Sequence, residues 1–401
     1  MISSVRCISL KNKLNGYDFL LIITPILLAG FGIVMIYSAS MVTTVISGLE
    51  STYYMKKQLQ WFILGLIVFF ACMFIPYRTY QRFVIPLVII SFVALASVLL
   101  FGVTENNATR AILIGGFSIQ PSEFVKLVII IYLASVYSKK QGYIDDLLKG
   151  VFPPIILSLA MVGFIVLQPD IGTSGIILAI MAAIILSSGI RFKHIVLLGT
   201  FAVTILLIAV PLLITEKRIA RITGAYNPFA DPDASGYHLI QSYLAIGGGG
   251  ITGEGIGQSI QKLGYLWGAH TDFIMSIIAE ELGVVGVIIT IGLILLITLR
   301  GLYFAKKCKD SFGTLLAVGI SSMIGIQAIV NLGAISGVLP ITGVTLPFVS
   351  YGGSSLLVLM ASMGILNNIA KHVKLELNKP KIIQTDPINE LKHRSGTRWS
   401  S

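Results

Sequence analysis

Apolar runs of about 20 residues recur along nearly the whole chain, and this recurrence constrains the fold more than any single motif does. A run of that length is what a helix needs to cross the hydrocarbon core of a bilayer. Within lipid its backbone groups must be satisfied inside the segment itself. Ten candidate spans follow, at 17–41, 59–75, 83–101, 121–138, 152–167, 172–190, 194–214, 273–299, 313–337 and 347–370. None shows the period-two alternation of a membrane barrel. The expected fold class is all-α, a polytopic membrane protein with ten transmembrane helices. Composition agrees: 55% of the residues are hydrophobic, 12% are charged and the mean hydropathy is +0.88, values that exclude a soluble globule.

A net charge of +11 raises the question of nucleic acid, and its distribution answers it. With the N-terminus inside, 21 Lys and Arg residues fall on the cytoplasmic side and 7 on the other, while Lys126 lies within a span. That asymmetry is a topological signal placing both termini in the cytoplasm, so no nucleic-acid partner is expected. Arg6, Lys11 and Lys13 ahead of the first apolar run resemble a signal sequence. The run is too long for a cleaved segment and lacks an A-x-A site, so it reads as an uncleaved first span. Cys7 and Cys308 fall on the cytoplasmic side and Cys72 inside a span, which implies no disulfide framework. The five His residues are scattered without ligand spacing, and no metal site is expected from them.

The chain therefore divides into a membrane domain, 1–370, and a polar, disordered cytoplasmic tail, 371–401. A long external loop, 215–272, joins the seventh and eighth spans, and loops of that length are usually functional. Four polar clusters interrupt the apolar text: NNATRAILIGGFSIQPSEFVK, QPDIGTSG, AHTDFI and LPFVSYGGSS. The topology places all four at the external ends of spans.

In the first cluster, Pro121 and Glu123 suit an opening helical turn. Lys126 lies one turn below Glu123 and can pair with it, either as packing or as part of a site. Asp170 reads as an N-cap after Pro169, or as a ligand-binding acid beside Gln168. In SYGGSS, the small residues Gly352 and Gly353 allow close helix approach, and with Ser350 they could also approach a sugar or phosphate. Within the long loop, GITGEGIG reads as flexible backbone with amide donors, because no strand precedes it. Arg221 and Lys262 are external cations that the charge bias would tend to exclude, and they point to an anionic external ligand.

Asp272 opens the eighth span, with His270 and Thr271 just before it. Ser276 and Glu280 follow at i+4 and i+8 on a similar face, whereas Glu281 points nearly opposite. Asp272 can act as a helix cap or as a base at the water boundary. Glu280 and Glu281 read as structural or supporting residues that pair between helices.

Together these phrases resemble the SEDS family (shape, elongation, division and sporulation) of peptidoglycan glycosyltransferases. The matching stretches are GGFSIQPSEFVK, LQPDIGTSG, GYHLIQSYLAIGGGG, QKLGYLWGAHTDFIMSIIAEELG and NLGAISGVLPITGVTLPFVSYGGSS, in order across the membrane domain. YSASMV and Gln261-Lys262 look more like the division branch than the elongation branch. The sequence departs from the family's usual pattern at Trp267-Gly268, where Pro-Glu is usual, at Ala111, usually Trp, and at His238, usually Gln.

The resemblance implies a lipid II donor, polymerised at the outer face of the bacterial cytoplasmic membrane, and Asp272 as the catalytic carboxylate. Pyrophosphate leaves readily once its charge is neutralised, so one carboxylate base suffices and cations replace a general acid. Arg110, Lys126, Arg221 or Lys262 would hold the pyrophosphate. Gln120, Ser122, Glu123, Gln168, Asp170, His270, Thr271, Ser350, Gly352 and Gly353 complete the expected substrate site. A divalent cation, Mg or Mn, could assist, though no ligand set demands one. Expected partners are a class B penicillin-binding protein, other divisome proteins and membrane lipids. The alternatives are a lipid II flippase, which would need a polar route across both leaflets, and a silent scaffold for a transpeptidase.

Overall fold

The computed structural model describes residues 16–105, 108–143, 146–213 and 215–378; Cys7 and the tail from 379 onward lie outside these. The helices in chain order are α1 (Phe19–Ile46), α2 (Tyr53–Phe74), α3 (Tyr77–Arg82), α4 (Val84–Phe101), α5 (Pro121–Lys139), α6 (Phe152–Leu167), α7 (Ile171–Ser187), α8 (Phe192–Leu213), α9 (Glu216–Tyr226), α10 (Tyr237–Gly248), α11 (Ile274–Lys307), α12 (Ser311–Ile335) and α13 (Gly353–Leu377). Ten of them, all but α3, α9 and α10, fall where the ten apolar runs lie. Among the described residues, eight helices are long and apolar enough to cross a membrane, with α6 counted from Leu147, and α7 is a shorter apolar helix. The protein is a multi-pass, predominantly helical membrane protein.

Helix starts follow local chemistry. Asp18, Asp170 and Asp310 cap α1, α7 and α12, accepting from the amides of Leu21, Thr173 and Gly313. Pro121 takes the first position of α5, where its missing N–H costs nothing. The last span begins at Gly353 rather than near 347, because Phe348 adopts a positive φ of 66° and the chain turns there. It also continues to Leu377, so the tail begins later than composition suggested. At the end of the bundle where α1 begins, Asp18 accepts ion pairs of 2.8 Å from both Arg300 and Lys374, tying α1 to α11 and α13.

Two features were not foreseen. A three-stranded antiparallel sheet, β1 (Val103–Glu105), β2 (Ala108–Ile114) and β3 (Phe117–Ile119), joins α4 to α5. Ile112 pairs with Ile119, and Gly115 and Gly116 make the turn with positive φ. The glycine-rich loop is also not free, in contrast to the flexible backbone expected. It packs into a break in α11 at Gly283, where φ is 63° and ψ is −162°. There the amides of Glu254 and Gly255 donate to the carbonyls of Glu280 and Glu281 at 2.9 and 3.0 Å, and Val284 donates to Gly250 at 3.1 Å. Loop backbone replaces the hydrogen bonds that the helix loses, and a Cβ on Gly249 would run into the Ala279 carbonyl.

The core runs between the helices, and α13 is its most enclosed member, with 89% of its most apolar window buried against 28% for α2. Gly353 and Gly364 let α2 approach: a Cβ on Gly353 would enter the Trp61 ring, and one on Gly364 would meet the Phe69 carbonyl.

Candidate active site

A cavity of about 1070 Å³ opens at one end of the helix bundle, large enough for a small-molecule ligand. Its lining comes from the start of α2, the β2–α5 segment, the first turns of α7 and α13, the 220–238 and 267–272 parts of the long loop, and residues 341–345. The N-terminal turns of α5, α7 and α13 all reach it, through Gln120 and Glu123, Thr173, and Gly353 to Ser355. Converging positive helix ends favour an anion there before any side chain is counted.

Asp272 is part of this lining, two residues ahead of α11. Phe273 takes the cap position and no side-chain cap bond is made, so the acid is free of the capping role. It meets the cavity yet lies deep among protein atoms. Burial pushes its pKa up to about 6, against the opposing pull of Arg110, a hydrogen bond from Thr271, and Arg221. Gly343, with φ 72°, lies beside it: a Cβ there would stand 3.5 Å from Asp272 Oδ2 and 3.7 Å from Arg110 Nη1. Acid and guanidinium face each other across that glycine.

Arg110 lies on β2 with its Nη1 3.9 Å from Asp170 Oδ1 and its Nε buried without a partner. Asp170 both caps α7 and accepts from Gln120 Nε2 at 3.2 Å, so it aligns the cation side of the cavity. Ser122 Oγ accepts from the same amide at 3.1 Å. Glu123 and Lys126 form an ion pair of 2.8 Å within α5, and Lys126 Nζ also donates to Gln327 Oε1 at 3.0 Å. Gln327 in turn donates to the Thr345 carbonyl at 3.0 Å, linking α5, α12 and the 345 turn.

His270 packs between Tyr54 and Tyr351, with ring centroids 4.5 and 5.7 Å away. Burial lowers its pKa to about 4, so at neutral pH it is uncharged and fixes the loop rather than binding anions as a cation. The Tyr351 amide donates to the His270 carbonyl at 2.9 Å, and Thr271 Oγ1 donates to the Gly268 carbonyl at 3.1 Å. Gly352 and Gly353 line the cavity at the start of α13.

Several expected residues lie elsewhere. Lys262 is buried outside the cavity, 2.7 Å from Glu281 Oε1 and 3.0 Å from Ser38 Oγ; its charge is engaged by α11 and α1, so it does not face an external pyrophosphate. Glu281 also accepts from Ser38 at 2.6 Å. Glu280 turns away from Asp272 and accepts from Ser259 Oγ at 2.5 Å and from the Ile260 amide at 2.8 Å, because the break at Gly283 draws the loop onto that face. Gln168 donates to the Leu95 carbonyl at 3.0 Å and joins α6 to α4. Ser350 Oγ accepts the Leu346 amide at 2.8 Å and shapes the turn before α13.

Other residues at or behind the cavity were not singled out by the sequence reading. Lys57 lies at the cavity, 4.6 Å above the Tyr53 ring, and as an external cation it was open to the same reading as Arg221. Asn331 and Gln327, four apart on α12, hold residues 344 and 345, and polar side chains within an apolar run were the cue to them.

Span-length apolar helices with a cavity at one end of the bundle, where the Asp272 carboxylate lies among cations and helix N-termini, define an integral membrane protein built to handle an anionic, polar-headed ligand at one face. The chain belongs to the FtsW/RodA/SpoVE family, described as cell cycle proteins, which matches residues 18–375. It is 48% identical to a probable peptidoglycan glycosyltransferase FtsW of Bacillus subtilis, over 93% of this chain and 95% of that protein. It is 39% identical to the stage V sporulation protein E of the same organism, over 90% and 99%. Among solved structures, a chain from a peptidoglycan synthase complex that coordinates polymerization and crosslinking superposes with a TM-score of 0.72 at 30% identity, covering 90% of this chain and 99% of the other. The rod shape determining protein RodA of Thermus thermophilus superposes at 0.65 with 28% identity, covering 89% and 98%.

Proposed function

We infer that the chain is a peptidoglycan glycosyltransferase that polymerises lipid II into glycan strands at the outer face of the bacterial cytoplasmic membrane, for septal wall synthesis. The enzyme class rests on the relatives of this family. The site assignment rests on one observation, the carboxylate of Asp272 facing Arg110 inside an external cavity.

Asp272 accepts the proton of the acceptor sugar hydroxyl as its oxygen attacks the anomeric carbon of the donor. The bond from that carbon to the pyrophosphate oxygen breaks with inversion, and the polyprenyl pyrophosphate departs with the electron pair. A raised pKa suits a base that must take a proton near neutral pH and release it again. Arg110, Arg221 and Lys57, with the N-terminal turns of α5 and α13, stabilise the leaving charge. The Glu123–Lys126 pair sits at the inner end of this polar lining and holds its shape through Gln327.

Two carboxylates line the cavity among the described residues, and Glu123 is already paired. In phosphate-handling sites Mg is commonly held by one or two carboxylates together with substrate phosphates, so Asp272 fits such a role only jointly with the pyrophosphate. A divalent ion bound there would supply further charge neutralisation.

The lining residues all belong to the end of the bundle that the Lys and Arg distribution places outside, which favours polymerisation over transport across both leaflets. The crosslinking activity named for the homologous complex supports a transpeptidase of the class B penicillin-binding type as partner. The deciding experiment is incubation of the purified protein with lipid II in detergent, with and without that partner. Glycan strands are expected, and their absence with the partner present would favour the flippase, since detergent offers no leaflet to cross.

A further inference from the structure

Two rings at the cavity have no task in the chemistry above. Trp267 is 74% exposed and lines the cavity, although an indole gains much from burial. Its ring centroid lies 6.4 Å from that of His238, inclined by 53°. His238, in the first turn of α10, also lies 6.2 Å from Phe273. Its Nδ1 is buried without a hydrogen-bond partner. Burial lowers its pKa, so at neutral pH the imidazole is an uncharged ring beside the indole.

The chain between Trp267 and Asp272 is a tight turn. Gly268 has φ 75°, and its carbonyl accepts from the amides of Thr271 and Phe273 at 2.9 and 3.1 Å. The indole is therefore carried by the residue immediately before the hydrogen-bonded turn that holds the acid.

A pyranose ring is amphiphilic, with C–H groups on its faces and hydroxyls at its edge. The negative face of an indole attracts the C–H face, and the neighbouring uncharged imidazole ring widens the platform. We propose that Trp267 and His238 form a saccharide-stacking subsite on the acceptor side of Asp272, taking an N-acetylhexosamine ring of the glycan next to the reacting sugar. The acceptor side follows because the base must touch the acceptor hydroxyl, and Trp267 immediately precedes the base's own turn. The assignment to the acceptor rests on the glycosyltransferase reading; the sugar contact itself does not.

The test uses full-length protein labelled with 15N at the tryptophan indoles, of which there are three, Trp61, Trp267 and Trp399. The probe is a lipid-free tetramer of β-1,4-linked N-acetylglucosamine. The Trp267 resonance is expected to shift saturably, with roughly two- to tenfold weaker binding in Trp267→Ala and His238→Ala and near-normal binding in Trp267→Phe. In polymerisation, Trp267→Ala is expected to raise KM for lipid II by a similar factor with kcat little changed, at an unaltered melting temperature.

An unshifted Trp267 at saturating tetramer overturns the subsite. So does a Trp267 resonance that answers only to the lipid composition of the surrounding vesicle, which would mark an interfacial anchor, or a Trp267→Ala variant that loses the transpeptidase while keeping tetramer affinity. An enzyme that polymerises but ignores the tetramer removes the subsite alone. A protein that binds the tetramer at Trp267 yet makes no strand removes the polymerase reading and leaves the sugar contact standing.

Discussion

The side-chain amide of Asn331 donates to the backbone carbonyl of Asp272 at 2.8 Å and to that of Val344 at 2.7 Å. One buried group on α12 thus fixes the acid against the turn that carries Gly343. Asn331→Ala leaves two carbonyls without this donor and lets the acid drift, and misplacement by about 1 Å can cost on the order of 10²-fold in rate. Lipid II polymerisation is expected to fall by about that factor while the protein remains folded. A rate within twofold of wild type would show that the acid is placed by other contacts.

Gly343 separates the acid from the guanidinium and holds φ 72°. Gly343→Ala places a methyl between Asp272 and Arg110 and forces an L residue into the left-handed region, at a cost of about 1–2 kcal/mol. The expected outcome is a modest fall in melting temperature with a much larger loss of polymerisation. If strain were the whole effect, conditions that restore full folding would restore the rate.

The bundle was legible because apolar run length is a local property: each helix must satisfy its backbone alone, so each run coincides with a helix, and eight of these, among the described residues, have the length and hydropathy of a span. Glu123 with Lys126 was legible for the same reason, since three residues of spacing on one helix bring them together. The place of Lys262 was not. Its partners Glu281 and Ser38 come from α11 and α1, and the break at Gly283 that admits the loop has no counterpart in composition. Nor was the turn from Trp267 to Asp272 legible, which depends on the positive φ of Gly268. The sheet at 103–119 was hidden because its strands are short and its role is to deliver Arg110.

Raising the Asp272 pKa to about 6 gives a signed pH dependence. The base must be unprotonated, so polymerisation is expected to drop as pH falls through about 6. Between the unfolded carboxyl pKa of about 3.9 and that value, the folded state holds a proton that the unfolded chain has lost. The contribution to stability is therefore present at low pH and lost as pH rises through this window. Asp272→Asn removes that dependence. It is expected to melt no lower than wild type at neutral pH while losing on the order of 10²–10⁴-fold in rate. Wild-type polymer from folded Asp272→Asn protein would remove this residue from the mechanism.

Glu123 and Lys126 interact within α5, and Lys126 also donates to Gln327. Breaking the pair from one side is expected to cost ~3–5 kcal/mol in stability. Exchange of the two charges should recover only part of this, because a carboxylate at 126 would face the carbonyl oxygen of Gln327 unless that amide turns and abandons Thr345. Thermal unfolding of both single variants and the exchanged double variant measures the difference. Full recovery would mean that the Gln327 contact contributes nothing.

Lys262 and Glu281 provide the contrast to Asp272, since both are ionised residues of the long loop and α11 but are sealed away from the cavity. Lys262→Met strands the Glu281 carboxylate with only Ser38 as donor, so stability should fall by the ~3–5 kcal/mol expected for an uncompensated buried charge. Adding Glu281→Leu removes the stranded charge and should restore much of that loss, because apolar replacement of a buried pair is often neutral. Polymerisation per folded molecule in the double variant is expected to stay near wild type. A hundredfold loss of rate in a double variant of normal melting temperature would return Lys262 to the substrate site and show that the loop opens in the working enzyme.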